Sequence, residues 1–275
     1  MGLLEASKTP EKHKNKKTKL SVSQFSRSPV DIIIPMHGQY DKVLRLVTSI
    51  MLAVKSNPYQ ITVVDDASPN SHFVSDFDDF DQKRPTGTEP ILKFIRTEEQ
   101  LGFGGACLYG LQRTSQPWCL FINSDCVVED PNFMIEMGRS LLELKSQNVR
   151  MISARNNLKY GGCPDFIKGK KEDKNKDVVL GKDDFLPMFC FMCHRELFKR
   201  IGPIKSYPLG TYEDEEFAYR MQSYGYKQAI CGKSWIHHEG GATFNSLLKE
   251  KPEIRSVLDA NRDRCISDIK SLFKK

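Results

Sequence analysis

The chain has 275 residues, of which 39% are hydrophobic and 28% are charged, so it is long enough for one or two domains with a core of useful size. The net charge of +6 is concentrated at the start, since residues 1–28 hold six lysines and one arginine against two glutamates. The other 247 residues hold 34 basic and 33 acidic side chains, which excludes a basic nucleic-acid-binding domain. Residues 1–28 are predicted to be a disordered basic tail.

The sequence also excludes a membrane-spanning protein and a small disulfide-bonded protein. The longest apolar run, residues 185–193, has nine residues, and a membrane span needs about 20. The first residues lack the pattern of a signal peptide. Eight scattered cysteines, several in apolar segments, are typical of buried thiols in a reducing compartment. We therefore expect a cytoplasmic protein, with peripheral membrane association as an open alternative.

From Val30 onward, short apolar runs alternate with amphipathic stretches. The runs typical of buried strands cover residues 30–35, 61–64, 91–97, 118–122 and 149–155. Apolar residues at helical spacing cover residues 41–54, 103–114 and 131–145. This alternation predicts an α/β fold with a Rossmann-like, mostly parallel sheet flanked by helices, in a single domain.

The character of the chain changes after Arg155. Residues 156–184 are polar and lysine-rich, which predicts a long, mobile surface loop. The apolar run 185–193 then returns to the core, and helices are predicted over 194–201 and 213–224, with a last strand over 228–232. An amphipathic C-terminal helix is predicted over 252–273, with one apolar side formed by Ile254, Val257, Leu258, Ile266, Ile269, Leu272 and Phe273.

Acidic residues stand at three points of this pattern. Asp65 and Asp66 follow one buried strand, Asp125 closes another, and Glu213 and Asp214 open a late helix. Each could be no more than a helix cap, but ligands of open α/β sheets bind at the carboxyl ends of the strands. The three positions together favour a coordinated site.

Asp125 has the chemistry of a ligand for a hard divalent cation that also contacts phosphates. Asn123 points the same way if the strand pleat continues, and it supplies a neutral oxygen. The glycines of the segment 101–105 precede a helix and allow a ligand to approach closely, although their spacing is not that of a dinucleotide-binding motif. His237 and His238 lie beside glycines just beyond the last strand, where a metal-ligand role and a structural role remain equally open.

Seven segments, taken in order, resemble glycosyltransferase family 2. They are VDIIIPMHGQYDKVLRLVTSI, ITVVDDASPNS, LGFGGACLYGL, LFINSDCVVEDP, FMCHRELFKRIG, YEDEEFAYRMQSYGY and HHEGGAT. The resemblance covers about residues 29–246 and implies a GT-A fold, with a nucleotide-sugar half in 29–128 and an acceptor half in 129–246, followed by the C-terminal helix in 247–275. It also implies a nucleoside-diphosphate sugar as donor, with UDP expected, a Mn²⁺ or Mg²⁺ cofactor and inversion at the anomeric carbon.

The resemblance also implies individual roles. Asp214 would be the general base, and Asp125 and His238 would bind the metal. The donor would be bound by Pro35, Asp65, Asp66, Gly102, Gly104, Gly105, Asn123, Ser124 and Arg220. The acceptor side would include Glu213, Trp235 and His237. Asn123 stands where most of the family has aspartate, and in this it resembles the rhamnosyltransferase-like members, which have an Asn-x-Asp motif. Asp125 would therefore carry a larger share of the metal coordination.

Two other functions stay open. A nucleotidyltransferase would share the nucleotide and the metal but would not need the Glu213–Asp214 base. A non-catalytic module could bind a nucleotide sugar or a polyanion. The expected acceptor is a glycan, with a lipid-linked glycan as an alternative. DNA with hydroxylated bases, contacted by the basic tail, is a further alternative. The sequence predicts no oligomeric state.

Overall fold

The computed structural model describes residues 25–54, 58–69, 91–160, 163–172, 175–182, 184–240 and 254–274. The strands are β1 (Val30–Met36), β2 (Tyr59–Asp65), β3 (Leu92–Arg96), β4 (Trp118–Ile122), β5 (Cys126–Val127), β6 (Val149–Asn156), β7 (Val178–Val179), β8 (Cys190–His194) and β9 (Lys227–His238). The α-helices are α1 (Tyr40–Ala53), α2 (Gly102–Gln112), α3 (Phe133–Glu143), α4 (Glu196–Ile201), α5 (Glu213–Ser223) and α6 (Ile254–Leu272). Short 3₁₀ helices lie at Leu144–Gln147 and Asp165–Ile167.

The strands form one sheet in the order β3-β2-β1-β4-β8-β6-β9-β5, and β7 pairs with β9. Strands β3, β2, β1 and β4 are parallel, as predicted, so their carboxyl ends share one edge. The other half of the sheet is mixed, because β8 runs antiparallel to both β4 and β6 while β6 and β9 are parallel. A long connection rather than a crossover helix leads into β8, and this allows the antiparallel pairing.

The central strands are apolar because helices cover both faces of the sheet. Every residue of β1 and β4 is buried. The polar exception in β1 is Asp31, whose Oδ2 accepts a hydrogen bond from the Arg195 guanidinium at 2.7 Å and one from the Gln116 backbone N–H at 2.7 Å. Burial of this carboxylate is therefore compensated by a charge-assisted hydrogen bond.

Residues 156–184 do not form the free surface loop that we predicted. Within the described part of this segment, β7 adds to the sheet beside β9, and Ile167 and Leu180 are buried. The backbone at Asn175 lies so close to Gly232 that a Cβ there would stand 2.2 Å from the Asn175 carbonyl oxygen. The polar composition of the segment misled the prediction, because its few apolar residues suffice to hold it against the sheet.

Two predictions about the chain ends are also wrong in part. Phe25 is fully buried, so the basic tail stops before residue 28; residues 1–24 lie outside the described part. In α6, Ile266 and Phe273 are 43% and 53% exposed, although the prediction placed them on the packed side. The buried residues of α6 are Ile254, Asn261 and Cys265, because the helix docks through polar contacts as well as apolar ones.

The eight cysteines are free thiols, and seven of them are buried. No helix in the described ranges combines the length and the apolar character needed to cross a membrane.

Candidate functional site

Two neighbouring cavities open at the edge where the parallel strands end. The first, here the β1 cavity, has a volume of about 360 Å³, and its lining includes Pro35, Asp66, Gly102, Asn123, Ser124 and Asp125. The second, the α5 cavity, has a volume of about 480 Å³, and its lining includes Asn123, Tyr160, Glu213, Asp214 and His238. Phe103, Asn123 and Gly210 line both, so the cavities adjoin one another.

Asp66, rather than Asp65, faces the β1 cavity. Asp65 is 1% exposed and accepts hydrogen bonds from Ser68 and from the guanidinium of Arg96. Asp66 accepts backbone N–H bonds from Leu101 and Gly102, at 2.7 and 2.8 Å. Asp65 therefore organises the turn after β2, and Asp66 ties that turn to the start of α2. Both carboxylate oxygens of Asp65 already accept hydrogen bonds within the protein, and its contact with the nucleotide of the donor stays a prediction.

The predicted glycines have different surroundings. Gly102 lines the β1 cavity with a φ of +74°, which is a conformation that glycine adopts easily. Gly104 instead packs against the chain at Lys205, where a Cβ would stand 2.4 Å from the backbone carbonyl oxygen. Gly105 lies against Leu101. Close packing of α2, rather than approach to a ligand, explains Gly104 and Gly105.

Asp125 and His238 meet at the boundary of the two cavities. Their Oδ1 and Nε2 atoms lie 3.1 Å apart, joined by the pairing of β5 with the end of β9. Burial alone would raise the pKa of Asp125, but the hydrogen bond and charge of His238 and the charge of Lys42 lower it below its usual value. Asp125 is therefore held as a carboxylate.

The imidazole of His238 is fixed from several sides. The Tyr160 hydroxyl forms a hydrogen bond with Nδ1, and Asn157 exchanges two hydrogen bonds with the His238 backbone, at 2.8 and 3.0 Å. The Phe189 ring stacks on the imidazole, with the centroids 4.9 Å apart. When Nδ1 donates its proton to Tyr160, the lone pair of Nε2 is free to bind a cation.

Among the described residues, Asp125, Cys126 and His238 form a cluster whose ligand atoms lie within 4.8 Å of one another. The Cys126 thiol is a poor member of this set. Burial, together with the charges of Cys190 and Asp125, raises its pKa well above the usual value, so it remains protonated. Asn123 offers a better third oxygen, because its Oδ1 is buried and has no hydrogen-bond partner among the described residues.

Glu213 and Asp214 begin α5 on the wall of the α5 cavity. The backbone turns sharply into this helix, since Tyr212 has a φ of +71°. Burial raises the pKa of Asp214 to about 6, with a further increase from the charge of Glu215. Burial likewise raises the pKa of Glu213 to about 8, and the charge of Asp214 adds to it. The pair therefore holds one carboxyl that is mostly ionised and one that is mostly protonated at neutral pH.

Besides Asp65, Gly104 and Gly105, three further predicted residues line neither cavity. Arg220 is buried and donates hydrogen bonds to Glu216 and to the Ile201 carbonyl oxygen, both at 2.8 Å. These two contacts explain its conformation without a bound nucleotide sugar. The Trp235 indole N–H donates to the Gly169 carbonyl oxygen at 3.2 Å. His237 lies beside the Trp235 ring, on the other face of β9 from His238.

Sequence reasoning missed three residues that form the α5 cavity. Tyr160 comes from the segment that we read as a loop, Tyr212 precedes the predicted helix, and Leu258 comes from α6. The only signal for Tyr160 was an aromatic residue beside two glycines, shortly after a strand end. Leu258 was assigned to the packed side of its helix, but nothing in the sequence located the surface on which that helix docks.

The family model described as glycosyl transferase family 2 matches residues 31–202, which is more than half of the chain. No sequence among the curated proteins matches this chain. A similar solved structure is the mannosyltransferase PcManGT from Pyrobaculum calidifontis in complex with GDP-Man and Mn²⁺. Its TM-score is 0.58 at 15% identity, with 78% of this chain and 58% of that chain covered.

GalNAc-T7 with UDP, GalNAc and Mn²⁺ is similar at a TM-score of 0.55 and 16% identity, over 77% of this chain and 44% of that one. S. aureus TarS 1–349 gives 0.53 and 16%, over 76% and 60%. This chain therefore spans about half of the length of these structures (44%, 58% and 60%), and the likeness concerns the fold. With its matched segment and this architecture, the chain belongs to glycosyltransferase family 2 and has the GT-A fold.

Proposed function

We propose that this protein transfers a sugar from a nucleoside-diphosphate sugar to an acceptor hydroxyl, with inversion at the anomeric carbon. The observation that carries the proposal is the junction of the two cavities at Asn123, with Asp125 on one side and Asp214 on the other. The β1 cavity would take the nucleotide, and the α5 cavity the sugar and the acceptor. Because GalNAc-T7 holds UDP, we propose UDP as the first nucleotide to test.

The residues at this junction fit a divalent cation. Asp125 Oδ1 and His238 Nε2 lie 3.1 Å apart, and two ligands at right angles, each about 2.1 Å from an ion, stand about 3 Å apart. Asn123 adds a neutral oxygen on the wall of the same cavity as Asp125. Asp125 and His238 would hold Mn²⁺ or Mg²⁺, which would supply positive charge against the departing diphosphate.

Asp214 would act as the general base. As the acceptor oxygen attacks the anomeric carbon, the bond from that carbon to the diphosphate breaks, and the diphosphate leaves with the electron pair. The hydroxyl proton passes to a carboxylate oxygen of Asp214. A pKa of about 6 supports this role, because the group is ionised at neutral pH and is a stronger base than an ordinary aspartate. Glu213, with a pKa of about 8, is mostly protonated there.

The base is tested by Asp214→Asn, which keeps the size of the side chain but cannot accept the proton. We expect transfer to fall by about 10²–10⁴-fold, with little change in donor binding. The wild-type rate should rise with pH through about 6, as Asp214 ionises. Steady-state rates and calorimetric binding of UDP measure the two quantities. Loss of transfer in Glu213→Gln but not in Asp214→Asn would reverse the assignment.

The metal site is tested by Asp125→Ala. We expect this variant to lose both turnover of nucleotide sugars and the stabilisation of the fold by UDP with Mn²⁺, because the carboxylate is the charged ligand of the proposed pair. The exposed Glu143, which lines neither cavity, gives the control variant Glu143→Ala. Wild-type turnover in Asp125→Ala would contradict the site.

Hydrolysis of a nucleotide sugar in the presence of Mn²⁺ would distinguish a transferase from a non-catalytic binding module. Formation of a nucleotidyl product would instead identify a nucleotidyltransferase.

A further inference from the structure

The charged side chains that line the described part of the α5 cavity are mainly acidic. Its wall carries three acidic residues, Glu213, Asp214 and Glu215. Of the described residues that line it, none is a lysine or an arginine, and the basic group present is His238. The described part of the wall therefore offers an incoming molecule carboxyl groups and no lysine or arginine side chain to pair with an anion.

Two described cations near this wall already have acidic partners. Lys205 Nζ lies 3.2 Å from Glu216 and 3.1 Å from Asp268, and Arg264 Nε lies 3.9 Å from Asp268. The raised pKa values of Glu213 and Asp214 have burial as their main cause, and neighbouring carboxylates add to both. A further negative charge inside the cavity would meet the same penalty.

Apart from polar residues such as Asn123 and Thr211, most of the remaining lining is apolar or aromatic. Phe103, Phe185, Pro187, Tyr212 and Leu258 contribute to it. Pockets of this composition bind the apolar faces of a ligand, while a few polar groups orient its hydroxyls. Aromatic rings supply flat apolar area, against which the C–H face of a sugar ring can pack. Carboxyl oxygens accept hydrogen bonds from sugar hydroxyls, which are donors.

A separate cluster of basic side chains lies at the other end of the sheet. Lys145, Arg150 and Arg200 line a separate groove of about 320 Å³ beside the first residues of β4 and β6. The parallel strands begin there, whereas the α5 cavity lies where they end. A polyanion attracted to this groove would be held away from Asp214.

We propose that the acceptor is an uncharged sugar ring, packed against the apolar wall of the α5 cavity with its hydroxyl directed at Asp214, and that anionic acceptors are rejected. This inference rests on the proposed function, because it assigns the acceptor class of the same site. It favours a neutral glycan over a nucleic acid or a phosphorylated, sulfated or uronic acid-bearing glycan.

Matched probes test the inference without a need for turnover. Binding to the full-length protein with Mg²⁺ and UDP is measured by saturation-transfer NMR and competition for p-nitrophenyl glucoside against the glucuronide, and for the galactoside against the galacturonide. Each pair differs only in a carboxylate. We expect the neutral member to bind at least about tenfold more tightly, because like charges in a binding site are strongly unfavourable. Equal or tighter binding of the acidic members, or binding of neither, would overturn the inference.

Two variants locate the selectivity. Glu215→Lys should bring the acidic probe to within a few-fold of the neutral one, since it places a cation on the cavity wall. Glu196→Lys makes the same charge change on an exposed residue of the basic groove and should leave the selectivity as in the wild type. Unchanged selectivity in Glu215→Lys would show that the carboxylates do not set it. Failure of the proposed function would appear separately, as absence of nucleotide-sugar turnover with normal probe binding.

Discussion

Asp214 faces two opposing requirements. As a base it must be ionised, yet burial in the cavity wall favours its protonated form and raises its pKa from 3.8 to about 6. The unfolded chain releases this proton near pH 4, whereas the folded protein keeps it until about pH 6. The folded state therefore loses stability as the pH rises through this window, and the loss persists above it.

Asp214→Asn should consequently stabilise the protein while it abolishes the base. At pH 7.5 we expect a gain of about 1–3 kcal/mol, on the order of the pKa difference converted to free energy. Near pH 4 the gain should shrink, because the wild-type carboxyl is then protonated in the folded protein and still about half protonated in the unfolded chain. Urea unfolding at the two pH values measures the difference. A variant that is no more stable at pH 7.5 than the wild type would refute the raised pKa.

Some residues of the candidate site could be located from sequence patterns, and others could not. Asn123, Asp125, Asp214 and His238 stand at ends of strands or at the start of a helix, and sequence patterns locate those points. The structure brings them together because the strand ends share an edge. Their roles remain predictions, which the variants above test.

Other side chains could not be assigned in this way. Asp65 stands at an equally plausible position, but its partner Arg96 comes from another strand and was not identifiable from spacing alone. For Arg220 the spacing did hold a signal, because Glu216 lies four residues earlier in the predicted helix. Tyr160 belongs to a connection whose path depends on tertiary packing. The choice between a ligand contact and an internal ion pair is made by that packing, which a single sequence does not encode locally.

At the scale of elements, α6 and the segment 205–212 form one unit. Leu209, Gly210 and Tyr212 have φ values of +65°, +65° and +71°, which is unfavourable for the two non-glycine residues. The buried Asn261 holds this turn by donating to the Pro208 carbonyl oxygen at 2.7 Å and to the Thr211 hydroxyl at 2.9 Å. Because the turn lines both cavities, α6 supports the site from outside the segment matched by the family model.

Asn261→Leu should therefore impair function through the turn. The variant removes both hydrogen bonds that Asn261 donates to the turn, and we expect destabilisation of about 1–3 kcal/mol. Transfer should fall more steeply than the melting temperature suggests, because the turn sets the position of Asp214. Arg255→Ala, on the exposed face of the same helix, is the control. Full activity of Asn261→Leu at a temperature where it stays folded would argue against a supporting role for α6.

The parallel half of the sheet was easier to predict from the sequence than the mixed half, for a physical reason. Strands β1 and β4 are buried along their whole length, and β2 is buried from Ile61 onward. All three have continuous apolar runs, which identify buried parallel strands. The antiparallel insertion of β8 depends on the connection before it. That connection combines charged residues with isolated anchors such as Ile167, and its composition resembles that of a loop. The return of residues 185–193 to the core was predicted, but not that they contain a strand or that this strand runs antiparallel to its neighbours.

At the scale of the whole molecule, the start of the described chain is part of the core. Phe25 is fully buried, with its ring 5.2 Å from that of Trp118 in an edge-on arrangement. It also fills the space above Gly138 of α3, where an added Cβ would stand 2.0 Å from the Phe25 ring. Phe25 therefore joins the start of the interior strand β4 to α3, although it lies within the segment that composition assigned to a tail.

A double-mutant cycle tests this contact. Phe25→Ala should destabilise the protein by about 3–5 kcal/mol, since it removes a fully buried ring. Gly138→Ala alone should cost about 1–3 kcal/mol through overpacking, despite the higher helix propensity of alanine. In the Phe25→Ala background the same substitution should be neutral or stabilising, because the new methyl group enters the vacated space. Chemical denaturation of the four proteins gives the coupling energy. Additive effects would mean that Phe25 does not occupy this position.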